Sequence, residues 1–304
     1  MKVGIDSYCY HRFFGEVYSQ QRQPARRMTL EDFIDRAHAL GVDGVSLESC
    51  FIPNKEDPGY LRSVQQRLDG YGFDRVYAWG HPDGLQGGTS PVEYQDMIAA
   101  LAHAEQIGAK VMRIVGSSLM FRFEDHQAQI ARLVVQLREA VKHAADRGIK
   151  LAIENHIDFN AKEILQLLEE VDSPWLGVNF DTGNFARLLD DPIKGMELLA
   201  KHTLATHIKD LRVNRAAAVD DWFFLSTTPV GEGFIDNLRL ARLLKQADYQ
   251  GFLAMELDFL HPDFNDDEDA AVATSVTALR AISATVEAES CARAAAHDPA
   301  RATH

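Results

Sequence analysis

Residues 149–156 read IKLAIENH: a short apolar run that stops on a carboxylate, an amide and an imidazole. The run has the look of a buried strand. Buried charge is costly unless it is paired or bound to a metal, so something at the end of this strand should want Glu154. Similar short runs recur along the chain. They are KVGID (2–6), GVSLE (44–48), FDRVYAW (73–79), KVMRIVG (110–116), LGVNFD (176–181), LATHIK (204–209) and GFLAMEL (251–257). Several are rich in Val, Ile, Leu and Phe and short enough to be buried parallel strands.

Helical patterns lie between them. TLEDFIDRAHALG (29–41) opens on Thr29, a natural N-cap, and closes on Gly41. PVEYQDMIAALAHAEQIGA (91–109) carries Pro91 near its start. The stretch 124–148 again ends on glycine, and further patterns cover 161–171, 192–202, 237–249 and 266–288, the last with an acidic start suited to a helix dipole. Eight strand–helix units predict a single (β/α)8 TIM barrel over residues 1–285. The Ala-rich residues 286–304 form a C-terminal tail or extension. A doubly wound open sheet is the alternative, but no G-x-G-x-x-G fingerprint follows the first strand. Two long loops, 7–28 and 210–235, are expected to be functional.

Composition narrows the partners. The chain has 304 residues, 46% hydrophobic and 25% charged, and a formal net charge of −14. Without a basic block, neither nucleic acid nor an anionic membrane surface is expected, and no apolar run approaches the roughly 18 residues of a membrane span. The start MKVGIDSY enters a strand pattern without a signal-peptide h-region. Cys9, Cys50 and Cys291 are odd in number and far apart, which predicts neither disulfides nor a zinc motif and points to a reducing cytoplasm.

Barrel active sites form where the strands end. Strands 5 to 8 end in Glu154, Asp181, His207 and Glu256. Three carboxylates and an imidazole on one rim suit Mn²⁺, Mg²⁺ or Co²⁺ better than a structural zinc. Each residue alone has a plainer reading as a helix cap or a hydrogen-bonded neighbour; four in succession favour a metal centre. Asn155 should face away and brace a loop, and His156 should share Glu154's side if the strand continues. Arg113 either reaches a substrate oxygen or points outward to a carboxylate. Glu48 and His81 either touch substrate or serve as cap and loop residues. Lys209 either polarises a carbonyl or forms a surface salt bridge. The aromatic stretch YCYHRFFGEVY (8–18) builds a hydrophobic pocket or a structural loop. VGEGFID (230–236) reads as a tight turn.

The set IEN, FDTGN, THIKD, VGEGFID and AMELD resembles the sugar phosphate isomerase/epimerase family, the xylose-isomerase-like barrels, across residues 1–285. That resemblance implies Glu154, Asp181, His207 and Glu256 as metal ligands, usually of Mn²⁺. Many members carry DTGH where this chain has DTGN with Asn184, a departure that disfavours the multi-zinc endonuclease-like branch. DSYCYHRFFGEVY with IENH resembles, more narrowly, the large metal-binding subunit of bacterial C-glycoside deglycosidases. It implies a hetero-oligomer with a small β-rich second subunit, a lyase acting on 3-oxo C-glycosides, and His156 as base. Arg113, His81, Glu48 and Lys209 are then the expected substrate contacts. The alternatives are a ketose 3-epimerase or isomerase, with Glu154 and Glu256 as proton carriers, and a non-catalytic, metal-stabilised binding subunit.

Overall fold

The computed structural model describes residues 1–296. Its strands are β1 (Lys2–Asp6), β2 (Gly44–Glu48), β3 (Asp74–Ala78), β4 (Val111–Val115), β5 (Lys150–Glu154), β6 (Leu176–Asp181), β7 (Thr203–His207), β8 (Asp210–Val213), β9 (Leu225–Thr228) and β10 (Phe252–Met255). Eight of them form one parallel sheet in the order β10-β1-β2-β3-β4-β5-β6-β7. The sheet closes on itself through Ile208: its N–H donates to the Ala254 carbonyl at 2.7 Å, and its carbonyl accepts from Glu256 N at 3.2 Å. This is the expected TIM barrel.

The helices are α1 (His11–Phe14), α2 (Leu30–Ala39), α3 (Pro58–Tyr71), α4 (Pro91–Gln106), α5 (His126–Asp146), α6 (Ala161–Val171), α7 (Thr182–Arg187), α8 (Pro192–Leu199), α9 (Asn237–Gln246) and α10 (Glu268–Ala296). Their apolar faces pack on the outside of the strands in one continuous core, with Phe33, Leu68, Leu101, Leu137, Ile164 and Leu240 all buried. Sequence reasoning missed α3, because Gly59 and Gly70 dilute its helical pattern. The signals that remain are the Asp57 N-cap, Pro58 in the first turn and Gly72 at the end. The boundary expected at 285 has no counterpart: α10 runs unbroken from 268 to 296. The rest of the expected tail, 297–304, lies outside the described residues.

Inside the barrel the alternation of each strand sorts residues into layers. Beneath the C-terminal rim the inward positions are small: Gly4, Ser46, Val76, Ala152, Ala205 and Ala254, with Phe252 below them. A cavity of about 700 Å³ opens from the N-terminal end up to this layer. The rim above it is polar and is described below.

The two long loops are anchored by buried charge. Arg12, in the loop after β1, pairs with Glu268 at the start of α10, with Nη2 to Oε2 at 2.7 Å. The loop after β7 contains the antiparallel hairpin β8–β9, which was not anticipated. VGEGFID folds around the Asp210 carboxylate, which accepts N–H bonds from Gly231 (2.9 Å), Gly233 (3.0 Å), Ile235 (3.0 Å) and Leu211 (3.0 Å). A side chain on Gly233 would place its Cβ 2.0 Å from Asp210 Oδ1, and Gly231 adopts φ +96°. The motif is therefore structural, as its reading as a turn implied. Replacing Asp210 with Ala strips an acceptor from several inward-facing N–H groups. The expected loss is about 3 kcal/mol in chemical denaturation, with Asp210→Asn recovering part of it.

Candidate metal centre and active site

The polar rim is built by one inward side chain from almost every strand. Asp6 ends β1, Glu48 ends β2, Arg113 lies on β4, Glu154 ends β5, Asp181 ends β6, His207 ends β7 and Glu256 follows β10; all are buried. Glu154, Asp181, His207 and Glu256 each offer one ligand atom, and these atoms lie within 4.8 Å of one another. Ligands at about 2.0–2.2 Å from a shared ion would be at most about 4.4 Å apart, so the set is within a few tenths of an ångström of a coordination shell.

Local contacts support the fit. His207 Nδ1 stands 2.6 Å from Glu256 Oε2 and 3.3 Å from Glu154 Oε1. One imidazole N–H cannot satisfy both, and Glu256 Oε2 lacks a hydrogen bond of good geometry. A cation between the three groups resolves that conflict. Asp181 divides its labour: Oδ1 caps α7 by accepting from Gly183 N and Asn184 N, each at 2.8 Å, while Oδ2 turns to the cluster. Helix cap and cluster member, set against each other in the sequence reading, are here two oxygens of one side chain. Asn155 does brace: its amide exchanges two 2.9 Å hydrogen bonds with the Asp181 backbone, locking the end of β5 to the end of β6.

Charge makes the same argument. Asp6, Glu48, Glu154, Asp181, Glu256 and Asp258 bring six carboxylates to this rim, against the permanent cations Arg113, Arg187 and Lys209. Burial pushes Asp181 and Glu48 upward, with Lys209 and Arg113 pulling against it. His207 would be lowered by burial, but Glu256 and Glu154 drive it well above its ordinary value. A divalent ion relieves this excess of negative charge.

The remaining expected residues fall as follows. Arg113 takes the inward of its two readings, bonding Glu154 Oε2 through Nε and lying 3.5 Å from Glu48. Lys209 is not a surface salt bridge: it is buried, 2.6 Å from Asp181 and 3.1 Å from Asp258. β5 ends at Glu154, so His156 reaches the site by a turn rather than by continuing the strand. Asp158 Oδ1 fixes that turn by accepting from His156 N (2.8 Å) and Phe159 N (2.7 Å), and Ile157 is held at φ +58°. The His156 ring is half-buried at the cavity; desolvation there lowers its pKa to about 3, and its Nδ1 has no hydrogen-bond partner. His81, joined to Pro82 by a cis peptide, donates through Nε2 to Glu16 Oε1 at 2.8 Å.

Above the cluster lies a cavity of about 430 Å³, lined in part by His156, Glu256 and Lys209 and walled by Tyr8, Tyr18 and Trp222. Tyr18 and Trp222 meet edge to face at 5.3 Å, and Arg187 lies over the Trp222 ring at 5.1 Å. The stretch 8–18 thus supplies pocket wall as well as loop. Sequence reasoning missed Asp6, Asp158, Asp258, Arg187, Glu16 and Trp222. Asp6 was within reach, since it too ends a strand; the others depend on loop paths that no periodicity reports.

Comparison with known proteins agrees with this architecture. Residues 34–282 match the family model described as xylose isomerase-like TIM barrel, and the chain belongs to that family. The chain is 25% identical over 238 residues to a 3-oxo-isoapionate decarboxylase of Pectobacterium atrosepticum, covering 78% of each protein. It is 25% identical over 165 residues to an L-ribulose-5-phosphate 3-epimerase of Escherichia coli O157:H7, covering 53% of this chain and 54% of that one. Among solved structures, an L-ribulose 3-epimerase superposes with TM-score 0.73 at 15% identity, covering 98% of this chain and 99% of that one. The apo form of a 3-keto-D-glucoside 4-epimerase from E. coli gives 0.66 at 16% identity, covering 92% and 99%. Among the described residues no helix is long and apolar enough to cross a membrane.

If the four side chains hold an ion, adding Mn²⁺ at a hundredfold over its Kd stabilises the fold by about 2.7 kcal/mol. Asp181→Ala and His207→Ala should each abolish that thermal shift, read by calorimetry, and a chelator should reverse it in the unsubstituted protein.

Proposed function

We propose that this barrel is a divalent-metal-dependent enzyme that enolises a keto sugar, and that it does so to break the sugar–aryl carbon–carbon bond of a 3-oxo C-glycoside. The observation that carries the reading is the cavity wall. Every arginine and lysine lining it is already engaged: Arg113 with Glu154, Arg187 with Asp258, and Lys209 with Asp181 and Asp258. None is left to bind a phosphate, whereas the rings of Tyr8, Tyr18 and Trp222 offer an aromatic group a place to stack. The names of the similar proteins are consistent with chemistry next to a sugar carbonyl, including the loss of a carbon–carbon-bonded group from a 3-oxo acid.

Glu154, Asp181, His207 and Glu256 would hold the ion, Mn²⁺ first and Mg²⁺ or Co²⁺ as alternatives. It would supply a Lewis acid for the sugar's carbonyl oxygen. His156 takes the proton from C2, the carbon between the carbonyl at C3 and the anomeric C1. The His156 ring, which lines the cavity, is the acceptor, and Asp158 holds the turn that presents it. The C2 electron pair then forms C1=C2 as the C1–aryl bond breaks. The aryl carbon leaves with that bond's electron pair and is protonated. The products are the free aglycone and a 1,2-unsaturated 3-keto sugar. A small β-rich partner subunit has an exposed apolar place to dock on the loop after β4, where Met120 lines the cavity mouth and Phe123 projects outward.

A ketose 3-epimerase is the second reading. Glu154 and Glu256 arrive from β5 and the end of β10 to flank the cluster, as proton transfer on two faces requires. Aglycone release from a 3-oxo C-glucoside, alone or with a small partner, separates the two, since an epimerase interconverts free ketoses instead. In the lyase reading His156→Ala should keep the Mn²⁺-induced thermal shift while losing deuterium incorporation at C2 by a factor of about 10²–10⁴. Full exchange in that variant removes His156 as the base.

A further inference from the structure

The proposed elimination moves two protons, one off C2 and one onto the departing aryl carbon. His156 accounts for the first. The second proton is needed at the other end of the substrate, among the aromatic rings that would hold the aglycone. His81 stands there, its ring centroid 5.0 Å from that of Tyr8. Its Nε2 is taken by Glu16 Oε1 at 2.8 Å, which leaves Nδ1 for whatever the cavity holds. The same Glu16 oxygen accepts from Tyr8 Oη at 2.7 Å, and Tyr8 Oη is hydrogen-bonded to Tyr18 Oη. Glu16 is thus a single carboxylate, delivered by the loop after β1, that anchors one imidazole and a pair of phenols on the aromatic wall.

We propose that His81, oriented by Glu16, is the acid that delivers a proton to the aryl carbon as the C1–aryl bond breaks. This rests on the lyase reading given above. The electron pair of the broken bond goes to the aryl carbon, which takes the Nδ1 proton of the His81 imidazolium. His81 ends neutral and His156 ends protonated, and solvent returns the proton between turnovers. The competing donors are less suitable. Lys209 and Arg113 are held in ion pairs at the sugar end of the cavity. Burial raises Tyr8 and Tyr18 far above neutrality, so their protons are tightly held.

The charged groups around His81 are Glu16 from the loop after β1, Glu48 at the end of β2 and Arg113 on β4, with the Tyr8 phenol against its face. Burial and Arg113 favour the neutral ring. The bond and charge of Glu16, with Glu48, outweigh them and hold His81 above its ordinary value.

The test uses the full chain, with any small partner needed for turnover, and a 3-oxo C-glucosyl flavone as probe. Aglycone release and deuterium entry at C2 are measured together. His81→Gln should lower the ratio of release to exchange by about 10²-fold or more, with the Mn²⁺ thermal shift intact. Glu16→Gln should move the alkaline, falling limb of the release profile to lower pH, because the charge that favours the imidazolium is gone. A merely structural role would not move that limb. Release and exchange falling in equal proportion in His81→Gln, or release lost instead in Tyr18→Phe, overturns the assignment. Exchange without release in the unsubstituted protein overturns the lyase reading itself and is distinguishable from both.

Discussion

The structure turns on an excess of buried negative charge at one end of a closed barrel. Carboxylates from β1, β2, β5, β6 and the end of β10 converge with only a few fixed cations to answer them. Taken alone, that arrangement is strongly destabilising. The apolar shell of helices on the outside of the sheet holds the strands in register and so holds the charges together. Stability is concentrated in the outer layer and chemistry in the inner rim. The two meet in residues such as Asp181, which ends a strand, begins a helix and faces the cluster at once.

The loops carry the selectivity. The loop after β1 is tied down by the Arg12–Glu268 pair, and this anchoring brings Tyr8, Glu16 and Tyr18 over the cavity. The segment after β7 is fixed at its base by Asp210 and rises into the β8–β9 hairpin, whose connection carries Trp222. Arg187, clamped by Asp258, then lies against the Trp222 ring from α7. An aromatic wall assembled from two separate loops, with Arg187 of α7 against it, is supported by buried ion pairs. That is why the arginines and the lysine lining the cavity have no free capacity for a ligand's charge.

Much of this was legible in the sequence. The eight barrel strands are short apolar runs with abrupt polar ends, and Glu154, Asp181, His207 and Glu256 each stand where such a run ends, which assigns them to one rim without any structure. The alternatives left open for Arg113 and Lys209 needed three dimensions, because a charged residue in or after a strand has the same local pattern whether it points inward or outward. His156 does line the cavity, but not by continuing the strand: the strand stops at Glu154, and a turn held by Asp158 carries the ring there. α3 escaped because two glycines blur its periodicity. The Glu16–His81 contact joins residues 65 apart in sequence, beyond any local rule.

The small residues of the barrel's middle layer bear on how the rim is held. Gly4, Ser46, Ala152, Ala205 and Ala254 leave the interior thinly filled beside Val76, so little side-chain bulk presses on the rim from below. Their positions are set sideways instead, by stave-to-stave ties such as the Asn155 amide on Asp181 and the Thr182 hydroxyl on Lys209. Rigidity at the centre is circumferential, like that of a hooped cask, and it survives changes in the floor better than the loss of a single tie.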